Sequence, residues 1–178
     1  APLLCAGITL YSPLRHWNAG PGKTVGIVGL GGLGHMGVKL ARAMGAHVVL
    51  FTTSPNKVED GMRLGAHEVC VSTDPAQMKR HANKLDLIVT TVAAPHALDP
   101  FLGLLKRDGT LCLVGATSEP LSVQAFTLLG AQKTVTGSVI GGRPAIREML
   151  EFAARHGVAA KTQVRPLAEA DAALDQTR

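Results

Sequence analysis

Two hydrophobic periods alternate along this chain. Short apolar, β-branched runs at 23–28, 47–51, 68–71, 85–89, 110–114 and 133–138 read as strands buried on both faces. Between them the period becomes helical. Leu33, Met36, Gly37, Leu40, Ala41 and Met44 fall on one helix face, with His35, Lys39 and Arg42 opposite and Gly45 as the closing cap. Further helices are predicted over 55–64, 76–82 and 96–105, with a shorter one near 124–129. A last one starts at Pro144, where proline suits a first turn, and runs to about His156 before Gly157. Strand and helix in alternation predict an α/β fold with a parallel, doubly wound sheet. Six strands in two halves imply the order 3-2-1-4-5-6.

The turn after the first strand carries chemistry. Gly29-Leu30-Gly31-Gly32-Leu33-Gly34 matches GxGxxG. With 20 glycines in 178 residues the match alone says little. Its setting says more, because it follows a strand and opens an amphipathic helix inside a βαβ unit. Gly29 then serves the tight turn, Gly31 the close approach of a pyrophosphate, and Gly34 the packing of helix on strand. The free amides of the helix start face the phosphates. The pattern predicts a Rossmann dinucleotide-binding turn; the alternative is a flexible glycine-rich loop without a ligand.

The end of the second strand decides which dinucleotide. Domains for NAD place Asp or Glu there, about 20 residues on, to bond the ribose 2′-hydroxyl. This chain has Phe51-Thr52-Thr53-Ser54-Pro55-Asn56-Lys57, and its nearest carboxylate, Glu59, comes after the next helix has begun. Thr52, Thr53, Ser54 and Lys57 suit a 2′-phosphate instead, so the expected cofactor is NADP(H). Ser54 before Pro55 also reads as an ordinary N-cap, and Lys57 as a surface lysine.

Composition narrows the classes. The chain is 46% hydrophobic and 17% charged, a globular balance, and with 3% aromatics its core must be aliphatic. The net charge of +5 is scattered; the densest run, Lys79 to Lys84, has no interleaved aromatics and does not resemble a nucleic-acid surface. A positive surplus does suit a polyanionic ligand. Cys5, Cys70 and Cys112 form no CxxC pair, which argues against structural zinc and disulfides and for a cytoplasmic setting. No leader or membrane-length apolar run is visible. The seven histidines form no HExxH, and His35 reads as a first-turn surface residue. The chain opens without Met on an apolar run and stops inside a helical stretch, 167–174, which reads as a segment of a longer protein.

Two stretches, Leu3-Leu4-Cys5-Ala6-Gly7-Ile8-Thr9-Leu10-Tyr11-Ser12-Pro13-Leu14 and Gly29 to Gly37, resemble the zinc-dependent medium-chain alcohol dehydrogenases. The nearest group looks like the cinnamyl-alcohol-dehydrogenase-like, NADP-dependent aldehyde reductases. Thr91-Val92, Leu105-Lys106-Arg107-Asp108-Gly109 and Gly137-Ser138-Val139-Ile140-Gly141 add to the likeness, which covers essentially the whole chain. The resemblance implies a catalytic zinc with Cys5 as one ligand, although composition alone makes Cys5 a core residue. It places the other ligands, and the proton relay, in a missing upstream catalytic domain, so no catalytic residue is expected here and the chain alone should not hold zinc well. It also implies cofactor contacts at Thr9, Thr91, Gly115, Ser138, Val139 and Ile140. The domain plan is then a junction helix over 1–20, a dinucleotide-binding domain over 21–160, and a return to the catalytic domain over 161–178. The implied reaction passes hydride between NADPH and an aldehyde or primary alcohol. The implied assembly is a homodimer through the last strand, near 135–140. Two other readings stay open: a zinc-free quinone-reductase-like enzyme, which the LLCAG setting of Cys5 opposes, and a non-enzymatic NADPH-sensing or interaction module. A methyltransferase would need an acidic residue after the second strand.

Overall fold

The computed structural model describes residues 2–175. Its six strands are β1 (Thr24–Val28), β2 (His47–Thr52), β3 (Glu68–Val71), β4 (Leu85–Thr90), β5 (Leu105–Leu113) and β6 (Thr134–Gly137). They form one parallel sheet in the order β3-β2-β1-β4-β5-β6, the order expected from the sequence. Continuous apolar strands need cover on both faces, and two buried clusters provide it. On one face α1 (Ala6–His16), α2 (Gly32–Ala43) and α7 (Arg143–Arg155) close over Val25, Ile27, Val48, Leu50, Leu87 and Val89. On the other, Met78 of α4 (Pro75–Lys79) and Phe101 and Leu102 of α5 (Asp99–Leu102) pack against Val28, Val49, Phe51 and Ile88. The remaining helices are α3 (Val58–Arg63), α6 (Ala125–Leu129) and α8 (Ala170–Asp175).

Helix α1 is part of the same core, burying Ile8, Leu10, Tyr11 and Leu14. Its tie to α7 is polar as well as apolar. The Tyr11 hydroxyl donates to Glu148 Oε1 (2.9 Å), which also accepts from Arg15 Nε (3.0 Å), and Phe152 packs on the Tyr11 ring. Burial, and then the Glu148 carboxylate, push the Tyr11 phenol up to about 12. Burial likewise raises the Cys70 and Cys112 thiols, to about 11 and about 12, so both stay protonated and inert.

The amino ends of the central strands are fastened by charge. Asp86 Oδ2 accepts from the Thr24 amide (2.8 Å) and Lys106 Nζ (2.8 Å), and Oδ1 faces Lys23 Nζ (3.5 Å). Burial alone would raise the Asp86 carboxyl, but these donors outweigh it and hold it below the usual range.

Several predicted helices are shorter than their apolar patterns suggested. The stretch 96–105 holds only α5, because Gly103 ends it and Leu105 already pairs with Leu85 in β5. Strand β5 therefore starts five positions before the expected 110. The 55–64 helix divides into a 3-10 turn, Pro55–Lys57, and α3. The 76–82 helix becomes Pro75–Lys79, capped by the Asp74 side chain on the Ala76 and Gln77 amides. The stretch beyond Leu167 is a 3-10 turn leading into α8, and positions 176–178 lie outside the described residues.

One half-buried histidine, His67, and one buried, His81, predict the response to acid. Burial, then the Arg42 and His47 charges, depress His67, whose Nδ1 accepts the Val48 amide (2.9 Å). Burial is the largest cause of the lowering at His81. Groups lowered in the folded state take up protons more readily when unfolded, so their stabilisation is complete above the ordinary value of 6.5 and drains as pH falls below it. Urea midpoints should therefore drop between about pH 7.5 and pH 5.5, above the range where ordinary carboxylates titrate. His81→Gln should flatten the drop; an unchanged slope would assign the acid loss elsewhere.

Candidate functional site

The carboxyl ends of β1, β2, β3 and β4 open onto a cleft of about 710 Å³. Its lining includes Gly29, Leu30, Gly31, Gly32, Leu33, Thr52, Thr53, Ser54, Lys57 and Thr91 of the residues expected from sequence.

The glycine turn is built by steric exclusion. Gly29 leaves β1 at φ +93°, a conformation unfavourable to other residues. A Cβ on Gly34 would collide with the Gly29 carbonyl. The first turn of α2 thus lies directly on the end of β1. The first helical bond runs from the His35 amide to Gly31 O (3.1 Å), which leaves the amides of Gly32, Leu33 and Gly34 ahead of it. A Cβ on Gly31 or Gly32, by contrast, would meet nothing within 4 Å. The turn is tight where it meets the strand and empty where it meets the cleft. That space, beside a helix start, fits a pyrophosphate.

Thr91 locks this turn from the neighbouring strand. Its amide (3.0 Å) and hydroxyl (2.8 Å) both donate to Val28 O, the last carbonyl of β1.

At the end of β2 the three hydroxyls have separate situations. Thr52 is buried, 5% exposed, and its Oγ1 accepts the Ser54 amide (3.2 Å), which turns the chain toward Pro55. Ser54 stands at the N-cap position, yet its side chain makes no capping bond. Thr53 is exposed on the cleft wall. Lys57 Nζ donates to Leu30 O (3.5 Å), so its ammonium stands between the hydroxyl loop and the glycine turn. The cleft lining holds no carboxylate.

The other expected residues lie outside this cleft. Thr9 is buried in α1, its hydroxyl donating to Cys5 O (2.8 Å). Cys5 itself is exposed just before α1. Gly115 lies so close to Val92 O that a Cβ would collide there. Ser138, Val139 and Ile140 follow β6, with Val139 83% and Ile140 54% exposed. His35 is half-buried, its Nε2 accepting the Lys161 amide (3.3 Å). Among the described residues no three His, Cys, Asp or Glu side chains group as a metal site, and no helix is long and apolar enough to cross a membrane.

Sequence reasoning missed Phe51, Ser72, Thr73, Met78, His96, Pro100 and Phe101, all lining the cleft. Ser72 and Thr73 directly follow β3, so the rule that ligands meet strand carboxyl ends could have found them. His96 was concealed by its assignment to a helix. Phe51, Met78 and Phe101 carry only a core signal.

The fold and the cleft together are those of a Rossmann-type doubly wound domain. The family model for zinc-binding dehydrogenases matches residues 32–155, and the chain belongs to that family. It is 58% identical to the aldehyde reductase YahK of Escherichia coli, over 92% of this chain and 47% of that protein. It is 53% identical to the NADP-dependent alcohol dehydrogenase C 1 of Mycolicibacterium smegmatis, over the same shares. Among solved structures, the Sorghum bicolor cinnamyl alcohol dehydrogenase SbCAD4 superposes with a TM-score of 0.95 at 44% identity, over 98% of this chain and 50% of that one. The Helicobacter pylori CAD complexed with NADP(H) superposes at 0.88 with 34% identity, over 99% and 50%. The chain thus spans about half the length of the relatives it matches.

The two kinds of glycine should respond oppositely to one methyl group. Gly34→Ala, forced against backbone, is expected to cost about 3 kcal/mol or more, while Gly31→Ala, in open space and extended backbone, should leave the thermal midpoint within about 2 °C of the parent. Scanning calorimetry of both variants checks this; equal losses would refute the steric account.

Proposed function

We propose that this chain is the cofactor-binding half of an NADP(H)-dependent zinc alcohol dehydrogenase or aldehyde reductase, passing hydride between NADPH and an aldehyde or primary alcohol. One observation carries the choice of cofactor: the loop after β2 brings Thr53, Ser54 and Lys57 to the cleft and no carboxylate. An Asp or Glu there would repel a 2′-phosphate, whereas hydroxyls and an ammonium bond it. The Mycolicibacterium relative, NADP-dependent by name, and the Helicobacter protein, complexed with NADP(H), support the same cofactor.

In this reading the amides of Gly32, Leu33 and Gly34 receive the pyrophosphate in the space over Gly31, while Gly29, its amide held by Phe51 O, makes the tight turn; Thr53, Ser54 and Lys57 receive the 2′-phosphate, and Thr52 and Thr91 hold those two loops. Thr9, Gly115, Ser138, Val139 and Ile140 border the path to the nicotinamide. Cys5, exposed ahead of α1, is suited to be one zinc ligand, and the others belong to the half of the relatives' length that this chain does not span. Zinc there supplies Lewis-acid polarisation of the carbonyl oxygen. Residues 1–20 then form the junction, 21–160 the binding domain and 161–178 the return. Free cysteines, two of them buried, suit a reducing cytoplasm.

Titration of the chain with NADPH and NADH tests the cofactor. Two or three charge-assisted bonds at about 1.5–3 kcal/mol each predict a preference for NADPH of a hundredfold or more. Lys57→Ala should weaken NADPH about tenfold and leave NADH unchanged. Equal affinities in the parent chain would refute the proposal.

We further propose a homodimer through β6, which ends the sheet with one edge unpaired. The Ser138 amide donates back to Leu113 O (3.0 Å), so by strand alternation the Val135 and Gly137 amides face outward. Val135→Pro removes one outward donor without touching the β5 ladder. Sedimentation should show a dimer for the parent and a monomer for this variant; a monomeric parent at high concentration would end the idea.

A further inference from the structure

The phosphate groups of a dinucleotide do not account for the whole cleft. Once the glycine turn, Thr53, Ser54 and Lys57 are assigned to them, the lining that remains includes an apolar wall of Phe51, Met78, Val92, Pro100 and Phe101, the imidazole of His96, and the Ser72 and Thr73 hydroxyls at the end of β3. That remainder is mostly apolar and holds no carboxylate, ammonium or guanidinium, which suits a flat, neutral base.

His96 differs from its neighbours in being polar and yet fully engaged. Nδ1 lies 2.8 Å from Ala94 O, which can only accept, so Nδ1 carries a proton. In the neutral ring Nε2 then accepts from Thr90 Oγ1 (3.3 Å), and Thr90 is itself 1% exposed. The His96 and Phe101 rings form a T-shaped pair at 78° with 6.4 Å between centroids, and Phe101 forms another with Phe51 at 5.9 Å. Rotating the imidazole would break both hydrogen bonds and the ring contact. Neither nitrogen is left for a ligand. What His96 offers the cleft is aromatic surface, fixed before anything binds.

We propose that His96 is an adenine-positioning residue: a pinned plate on which the purine of the dinucleotide stacks. The inference rests on the reading of the cleft as an NADP(H) site and adds the residue that sets the base. Because the ring is already held, stacking on it costs little side-chain ordering. Because the contact is through a π-face, it recognises flatness and not the hydrogen-bond pattern of the base.

The test separates the ring from its nitrogens, and the adenosine half from the nicotinamide half. The chain is titrated with NADPH, with adenosine 2′,5′-bisphosphate, and with reduced nicotinamide mononucleotide, which lacks the adenine. His96→Ala should weaken the first two about tenfold and leave the third unchanged. His96→Phe, which keeps a ring, should retain most of the affinity, whereas His96→Gln, which keeps hydrogen bonding without a ring, should behave like Ala. In proton NMR, saturation with adenosine 2′,5′-bisphosphate should move one imidazole C–H resonance upfield, and that resonance should be the one missing from His96→Phe.

Circular dichroism of each variant comes first; if His96→Ala does not fold, the Phe and Gln pair decides. Unchanged affinity for adenosine 2′,5′-bisphosphate in a folded Ala variant, or rescue by Gln as good as by Phe, would overturn the stacking role while the NADP(H) reading stands. Failure of the parent chain to bind adenosine 2′,5′-bisphosphate would overturn both.

Discussion

At one point of this molecule a helix and a strand meet with no room for a methyl group between them. That contact, Gly34 on the Gly29 carbonyl, sets the direction of α2 with respect to the sheet. Once the helix is seated there, its unbonded amides have to emerge above the end of β1, and the space over Gly31 and Gly32 has to face outward. The buried stripe of Met36, Gly37, Leu40 and Ala41 then keeps the rest of the helix on the sheet. A backbone contact a few ångströms wide therefore decides where a polyanion meets the protein.

The neighbouring strands complete that decision without touching the anion directly. Thr91 clamps the last carbonyl of β1 from the β4 side, and Thr52 turns the β2 loop by accepting the Ser54 amide. Both threonines are occupied by their own backbone, so their contribution is to shape. Ser54 makes no capping bond, and Lys57 holds only a long contact to Leu30 O. The division is one of geometry against availability: groups with internal partners build the walls, and those without remain for a ligand.

Much of this was legible in the residues. The sheet order followed from six apolar runs and their spacing, and the glycine turn from its place between strand and helix, because both patterns are local and repeated. Helix lengths were less legible. The segment after His96 is apolar enough for a long helix, but Leu105 finds a strand partner in Leu85, and pairing across the sheet overrides a local period. The same misreading hid His96. Phe51, Met78 and Phe101 could not be told from core residues, since a base-binding wall and a hydrophobic core use the same side chains. Cys5 and the Ser138 to Ile140 segment gained their roles from resemblance alone, and the geometry leaves them outside the cleft that the other residues share.

The carboxylate at the opposite end of the sheet has a wider meaning. Asp86 ties the amino ends of β1, β4 and β5 together through an amide and two ammonium groups. Strands tied in this way resemble fingers joined at the knuckles. The cleft residues lie at the other ends of these strands, so the tie and the site are separated by the full length of the buried sheet.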